Sequence, residues 1–152
     1  MQNQRFSVRP LRESDLSEWF RLRQLLWDGS NEQDHKTEML GIIEHPESQL
    51  ILVAQVESGE LVGFLEASIR PFVEDCHSDS VGYLEGWFVE PKLRNMGIGR
   101  QLVKSAENWA RRRGCTEMAS DAELGNDVSL SAHLGLGYQE SSRLVHLRKD
   151  LV

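Results

Sequence analysis

Two glycines at the entrance of an amphipathic helix constrain this chain more than any other feature. The stretch EPKLRNMGIGRQLV, residues 90–103, follows a long apolar strand pattern, and its Gly97 and Gly99 stand just before the apolar positions of a helix. The first backbone N–H groups of a helix lack partners within that helix and carry the positive end of its dipole. An entrance lined by glycines and flanked by Arg94 and Arg100 therefore suits a phosphate group. A tight turn without any ligand is the alternative that this motif leaves open.

The order of elements around this loop predicts the fold class. A short strand around Phe6 and Val8 precedes two helical patterns, and the runs LILVAQVE and LVGFLEASIR, joined by SGE, predict an antiparallel hairpin. After the strand VGYLEGWFVE come a helix, the short strand TEMASD, the helix NDVSLSAHLGLG and a closing strand YQESSRLVHLRKDL. The predicted order is β-α-α-β-β-β-α-β-α-β, an α/β chain with a mixed sheet and helices on both faces. At this length we expect one domain over residues 1–152.

Net charge and cysteine content narrow the classes of function. The formal net charge is -7, so a basic surface for nucleic acid is not expected and cationic small molecules are favoured as partners. Two cysteines outside any CxxC pair, and histidines without metal-ligand spacing, predict neither a disulfide scaffold nor a metal site. No apolar run approaches the roughly 20 residues that span a bilayer, and the N-terminus lacks the apolar core of a signal peptide. These features favour a cytoplasmic protein without a membrane partner.

The segment that runs from the long strand into the helix resembles the acetyl-CoA-binding core of the GNAT superfamily of N-acetyltransferases. The signature of that superfamily is [Q/R]-x-x-G-x-[G/A], between a strand and a helix. In this chain the signature reads RNMGIG, with Arg94, Gly97 and Gly99 at its three defined positions. The later HLGLGYQE is similar to the superfamily's turn from helix to strand. By contrast, RNMGIG is not the dinucleotide motif GxGxxG, and it lacks the Lys and Ser/Thr of a P-loop. The resemblance implies the GNAT acyltransferase fold with a splayed central sheet.

The same resemblance implies how acetyl-CoA would be held. Its pyrophosphate is expected on backbone N–H groups of the glycine loop, and its pantetheine arm on edge groups of the long strand and on an Asn that opens the last helix. The expected loop residues are Arg94, Asn95, Met96, Gly97, Ile98, Gly99 and Arg100, and the other expected contacts are Trp87, Phe88, Val89 and Asn126. Trp87 and Val89 would also fit as pattern residues of a buried strand, and Asn126 as a plain N-cap.

A closer resemblance is to the bacterial aminoglycoside 6'-N-acetyltransferases. It rests on LRQLLW in the first helix, LEASIR and LEGWFV in the third and fourth strands, and CTEMASDAELGN around the fifth strand. It implies transfer of the acetyl group from acetyl-CoA to the 6'-amino group of aminoglycosides such as kanamycin and tobramycin, by direct attack in a ternary complex, and hence antibiotic resistance. It also implies a homodimer.

Two carboxylates and a histidine are the candidate catalytic groups. Glu85 lies in YLEGW, inside an otherwise apolar strand, where an ionised carboxylate is unfavourable unless it is paired, hydrated or placed for a purpose. It would accept the proton of a bound ammonium, directly or through water. Asp121, at the end of EMASD, stands where the resembled enzymes place a carboxylate against the aminoglycoside, although an Asp that enters a loop is commonly a cap. His133 stands where the superfamily often has a Tyr acid for the departing thiolate, and a packed histidine is its alternative.

Three further residues match positions that line the aminoglycoside site in the resembled enzymes. They are Trp27, Phe72 and Glu140, and together with Glu85 and Asp121 they form the expected substrate-binding set. Carboxylates and an aromatic wall suit a substrate that carries several ammonium groups. A Trp at a helix end is otherwise a common core residue, so Trp27 has both interpretations.

Two other functions remain open from the sequence. Acetylation of a peptide amine or a polyamine would keep the cofactor site and change only the acceptor. In a non-catalytic acyl-CoA sensor, Glu85 would have no catalytic role.

Overall fold

The structure, a computed structural model, describes residues 5–152. These residues contain five strands and four α-helices. The strands are β1 Phe6–Pro10, β2 Gln49–Val56, β3 Leu61–Arg70, β4 Val81–Val89 and β5 Met118–Ser120. The helices are α1 Leu16–Leu26, α2 Glu32–Ile43, α3 Ile98–Arg112 and α4 Asp127–Gly135, with short 3-10 helices at Glu13–Asp15 and Pro91–Leu93. From residue 5 onward, every helix is too short or too polar to traverse a lipid bilayer.

The strands form one mixed sheet in the order β1-β2-β3-β4-β5. The first three pairings are antiparallel, and β2 and β3 are the predicted hairpin. The last pairing, between β4 and β5, is parallel, with α3 as the crossover helix that a parallel pair requires. The predicted mixed α/β sheet is confirmed.

Helices and sheet enclose a core on both faces of β3. Trp19 of α1 and Phe64 of β3 are fully buried and belong to one apolar cluster with Leu22 and Met39. Leu65 follows Phe64 and therefore points to the opposite face of the sheet, yet it is buried as well. The helix α3 contacts β1 to β4 through a buried apolar stripe. Burial on both faces of the sheet agrees with the predicted arrangement of a mixed sheet with helices on both faces.

A β-bulge interrupts β4 at Glu85. In the ladder with β3, Gly86 lies opposite Glu66 while Leu84 lies opposite Ala67, so Glu85 is an additional residue on its strand. A bulge breaks the alternation of the two faces and re-aims the side chain at that point. Leu84 is 4% exposed, whereas the Glu85 side chain is 31% exposed. The strand thus carries a carboxylate without placing it in the core.

The parallel ladder between β4 and β5 covers Gly82–Leu84 and ends at this bulge. Beyond the bulge, β4 continues its ladder with β3 as far as Val89. The strand β3 therefore pairs along the whole of β4, whereas β5 pairs only with the part of β4 before the bulge. This divergence is the splay that the family resemblance implies.

Two compact units make up the chain, one that runs to Asp121 and one from Ala122 to Val152. The first holds the five strands and α1 to α3, and the second holds α4. The expectation of one domain over residues 1–152 stays a prediction.

The structure assigns no strand within residues 138–151 of the second unit, so the closing strand expected there stays a prediction. A strand needs a neighbour to pair its backbone N–H and C=O groups. The second unit offers none within its own residues, and residues 139–152 are exposed. The apolar pattern of Leu144, Val145 and Leu147 suited a strand, but a pattern alone does not supply the partner.

Candidate active site

A cavity of about 320 Å3 lies where the end of α1, the helix α2 and the strands β2 to β4 meet. Two of the expected site residues, Trp27 and Glu85, line it, and so do Glu38 and Glu66. Three carboxylates and an indole around one cavity have the composition that a substrate with ammonium groups requires.

Glu85 is held by two side chains of β3. The hydroxyl of Ser68 donates to Oε1 at 2.6 Å. Arg70 donates from Nε to Oε1 at 3.0 Å and from Nη2 to both carboxylate oxygens at 2.7 Å. Because Ser68 is only 4% exposed, its hydrogen bond fixes Glu85 from the protein side. The bulge and the Ser68 hydroxyl determine where the carboxylate stands, and Arg70 pairs with it at the exposed end of β3.

Arg70 also links Glu85 to the second expected carboxylate. Its guanidinium carbon lies 3.6 Å from the centroid of the Tyr83 ring, and the Tyr83 hydroxyl donates to Asp121. Burial, with a further contribution from Asp121, raises the pKa of Tyr83 above its ordinary value, so the phenol keeps its proton and remains a donor. One line of contacts therefore joins the two carboxylates, through residues that the sequence analysis did not single out.

Trp27 has both a packing role and a place in the cavity wall. Its ring meets Phe64 edge to face at 6.0 Å between centroids, and the guanidinium of Arg23 lies 4.6 Å from the indole centroid. A Cβ on Gly86 would come within 2.4 Å of the indole, so only glycine fits opposite this ring. The two interpretations of Trp27 are therefore compatible.

A buried ion pair supports the floor of the cavity. Arg23 and Glu66 are 1% and 3% exposed, and Arg23 donates to both Glu66 oxygens and to the carboxylate of Glu38. Burial raises the pKa of Glu66, while Arg23 and a hydrogen bond from Trp19 act in the opposite direction. His35 accepts from Arg23 Nε at 3.2 Å and contacts the carbonyl of Trp27 at 3.3 Å with its other nitrogen. The cluster thus fixes α1, α2 and β3 around the cavity.

The glycine loop forms the entrance of α3 as expected. Gly97 is the N-cap of the helix with φ of 88°, and Asn95 has φ of 65°. Left-handed backbone of this kind favours residues without a Cβ. Ile98 is 1% exposed and anchors the first turn in the core. The turn therefore presents helix-entrance N–H groups, which suit a phosphate.

Gly99 has a second reason to lack a side chain. A Cβ there would lie 3.0 Å from Nε1 of Trp87, so this glycine lets the end of β4 and the start of α3 come together. Arg94 donates from Nε to the carbonyl of Val89 at 2.9 Å, and its guanidinium lies 5.7 Å from the ring of Phe88. The expected pyrophosphate loop and the expected pantetheine strand are therefore adjacent.

The β3–β4 loop, residues 71–80, carries Phe72 outside the cavity wall. Phe72 is 71% exposed and does not line the cavity. The far end of this loop is fixed by Glu117, which accepts from the backbone N–H groups of His77 and Ser78 and from the Ser78 hydroxyl at 2.6–3.1 Å. These bonds, chiefly those from Ser78, hold the pKa of Glu117 below its usual range.

Three further expected residues lie in the second unit. Asn126 is the N-cap of α4, and its side chain accepts from Ser129 N at 3.1 Å. His133 Nδ1 lies 2.7 Å from the carbonyl of Ser129, and its ring meets Tyr138 edge to face. Glu140 pairs with Arg143, which holds the pKa of Glu140 below its ordinary value. Asn126 therefore caps α4, and His133 packs against Tyr138. The functional roles expected for both residues stay predictions.

The sequence analysis missed three residues that surround Glu85. They are Ser68, Arg70 and Tyr83. A signal for two of them exists in LEASIR, because Glu66, Ser68 and Arg70 alternate with apolar residues and so share one face of β3. Nothing in the sequence indicates that Tyr83 stacks on Arg70.

Among residues 5–152, no three His, Cys, Asp or Glu side chains are grouped so as to hold a metal ion.

Comparison with known proteins defines the class. The model of the acetyltransferase (GNAT) family matches residues 15–138, and the chain belongs to that family.

Within the family, the chain is similar to aminoglycoside 6'-N-acetyltransferases. The aminoglycoside N(6')-acetyltransferase type 1 of Klebsiella aerogenes is 45% identical over 148 residues, 95% of this chain and 96% of the relative. The crystal structure of AAC(6')-Ih from Acinetobacter baumannii is 39% identical with a TM-score of 0.90, over 97% of this chain and 99% of that one. The structure of AAC(6')-Iy in complex with the bisubstrate analogue CoA-S-monomethyl-acetylneamine is 33% identical with a TM-score of 0.91, again over 97% and 99%. The resemblance predicted from the sequence, and its fold, are confirmed.

Proposed function

We propose that this chain is an enzyme that transfers the acetyl group of acetyl-CoA to the 6'-amino group of aminoglycoside antibiotics and thereby gives resistance to them. The observation that carries the proposal is the carboxylate of Glu85, set by a bulge at the wall of a cavity that also holds Trp27 and two further carboxylates. The names of the relatives, and the CoA-containing analogue in one related structure, support the same reaction.

Acetyl-CoA fits the entrance of α3. The left-handed Gly97 and the first turn of the helix offer backbone N–H groups to the pyrophosphate, with Arg94, Asn95, Met96, Ile98, Gly99 and Arg100 as the other members of the loop. The pantetheine arm would follow the outer edge of β4 at Trp87, Phe88 and Val89, where the ladder with β5 has already ended. Asn126 is assigned to that arm from the family resemblance.

The reaction we propose is direct attack by the amine. The neutral amine nitrogen forms a bond to the thioester carbonyl carbon, the C–S bond breaks, and the CoA thiolate takes up the proton that the attacking nitrogen loses. Glu85 receives the proton that the substrate ammonium loses, and a residue within reach of that proton contributes about 10²- to 10⁴-fold to such a step. Asp121 binds the aminoglycoside beside it. The family resemblance assigns His133 as the acid that protonates the thiolate. It also assigns Phe72 and Glu140 as further substrate contacts.

Thiol release from acetyl-CoA tests the substrate class. We expect turnover with kanamycin and tobramycin and little with spermidine or a histone-like peptide. Turnover with the peptide or spermidine alone would favour the rival acetyltransferase, and turnover with no amine would favour an acyl-CoA sensor.

Glu85→Gln tests the proton acceptor. The variant is expected to lower kcat/KM by roughly 10²- to 10⁴-fold while acetyl-CoA still binds, as measured by calorimetry. Glu60→Gln, the same chemical change on the exposed turn between β2 and β3, serves as the matched control. Full activity of Glu85→Gln would remove the role that we assign to this carboxylate.

We also propose a homodimer. The apolar side chains of Leu144, Val145 and Leu147 are 52%, 79% and 91% exposed, and a second copy of the chain would cover them. Light scattering at micromolar concentration is expected to give a dimer for the parent and a monomer for Leu147→Glu. A monomeric parent would contradict this part of the proposal.

The chain is proposed to act as a single N-acetyltransferase domain in the cytoplasm. The family match over residues 15–138 extends past Asp121, where the first compact unit ends, which supports one functional domain. Cys76 and Cys115 are both free thiols, which suits a reducing compartment.

A further inference from the structure

Arg70 fills a position that suits a substrate cation. Its guanidinium makes hydrogen bonds of 2.7–3.0 Å to Glu85 and lies 3.6 Å from the centroid of the Tyr83 ring. A carboxylate beside an aromatic face is an arrangement that binds ammonium groups well. Here this arrangement is occupied by a side chain of the protein itself.

The pairing with Arg70 occupies the oxygens that the proposed proton transfer requires. A proton acceptor must lie within hydrogen-bond reach of the proton that it takes up. Both oxygens of Glu85 receive an N–H group from Arg70. A substrate ammonium that gives its proton to Glu85 therefore has to compete with this guanidinium.

The surroundings allow Arg70 to leave while Glu85 stays. Arg70 is the last residue of β3, and its side chain is 41% exposed, so water can solvate the guanidinium once it is released. Glu85 keeps its hydrogen bond from the buried hydroxyl of Ser68 and its backbone position in the bulge. Departure of Arg70 would also free the face of Tyr83 for a second cation.

We propose that Arg70 is a resident counter-ion of the acceptor site, which neutralises Glu85 while the site is empty and is displaced when the amino group of the acceptor binds. The inference rests on the proposed function, because it takes Glu85 as the proton acceptor. It makes Arg70 a determinant of substrate affinity rather than a catalytic residue, since the residue withdraws before the chemistry.

Steady-state kinetics of Arg70→Gln test the displacement. Partly exposed ion pairs contribute little, so we expect the KM for kanamycin to fall by about two- to fivefold with kcat unchanged. Arg111→Gln, at an exposed position near the end of α3, makes the same change of net charge away from the cavity and should leave both constants unchanged. A higher KM, a lower kcat or no change in Arg70→Gln would overturn the proposal.

A measurement on the parent protein separates this proposal from the substrate assignment. The NMR signal of the Arg70 Nε–H group is followed during titration with kanamycin and, separately, with spermidine. A shift of that signal towards the position of a solvated guanidinium with either amine supports displacement. A shift with spermidine alone, together with no aminoglycoside turnover, would refute the proposed substrate class and keep the counter-ion. A signal that stays in place with both amines would overturn the counter-ion itself.

Discussion

Gly86→Ala tests whether the position of Trp27 depends on the absence of one methyl group. The added Cβ would lie 2.4 and 2.5 Å from two indole carbons of Trp27, so the ring must move by about 1 Å or more to reach ordinary contact. Phe64 and Arg23 stand against the same ring and limit that movement. Overpacking of this kind costs about 1–3 kcal/mol, which corresponds to a fall in Tm of roughly 2–12 °C for a domain of this size. Since the ring lines the cavity, the KM for the acceptor should rise as well.

Thermal unfolding and acceptor kinetics are measured on the same samples. Gly29→Ala is the matched control, because a Cβ there would meet no atom within 4 Å, and it should leave Tm and KM unchanged. Replacing Trp27 by Leu in the Gly86→Ala background should recover stability, with a coupling of about 1 kcal/mol or more in the double-mutant cycle. If Gly86→Ala had the same Tm as the parent and the same KM for the acceptor, the steric argument for the cavity wall would be refuted.

Three further changes test the surroundings of the site. Ser68→Ala removes the donor 2.6 Å from Glu85 and should lower kcat about five- to tenfold with little change in Tm, and an unchanged kcat would contradict its positioning role. Arg23→Met leaves Glu66 buried without its cation and should reduce the free energy of unfolding in urea by about 3–5 kcal/mol, whereas a loss below about 1 kcal/mol would show that the pair is dispensable. The lowered pKa of Glu117 means that its carboxylate stabilises the fold above about pH 4.5 and loses this effect as the pH falls through the lowered pKa. Glu117→Gln should therefore melt below the parent at pH 7 and approach it at lower pH, and a constant difference in Tm would argue against this linkage.

The general fold was predictable because its signals are local. The hairpin of β2 and β3 has a turn between two apolar runs, and α3 has a glycine entrance and an apolar stripe, so each could be predicted from a short window. Glu85 could be singled out as a candidate because a carboxylate in an apolar strand is anomalous. The closing strand stays a prediction because pairing depends on a neighbour that no window contains.

The surroundings of Glu85 were not predictable because they depend on the register between strands. Arg70 contacts Glu85 across the β3–β4 ladder. The bulge that brings the two residues together is not indicated by the hydrophobic pattern of either strand. The buried state of Arg23 is a similar case. An Arg in a helix is normally solvated, and the opposing carboxylates of Glu66 and Glu38 make the burial of Arg23 tolerable.

The bulge at Glu85 makes the length of β4 as important as its composition. Removal of one residue here would restore a regular ladder, and every side chain on one side of the deletion would change faces of the sheet. Either the aromatic residues after the bulge would exchange their core and outer positions, or the carboxylate would turn into the core. We therefore expect this strand to accept no change in its number of residues, so that the spacing between Tyr83 and Trp87 is itself a condition for activity.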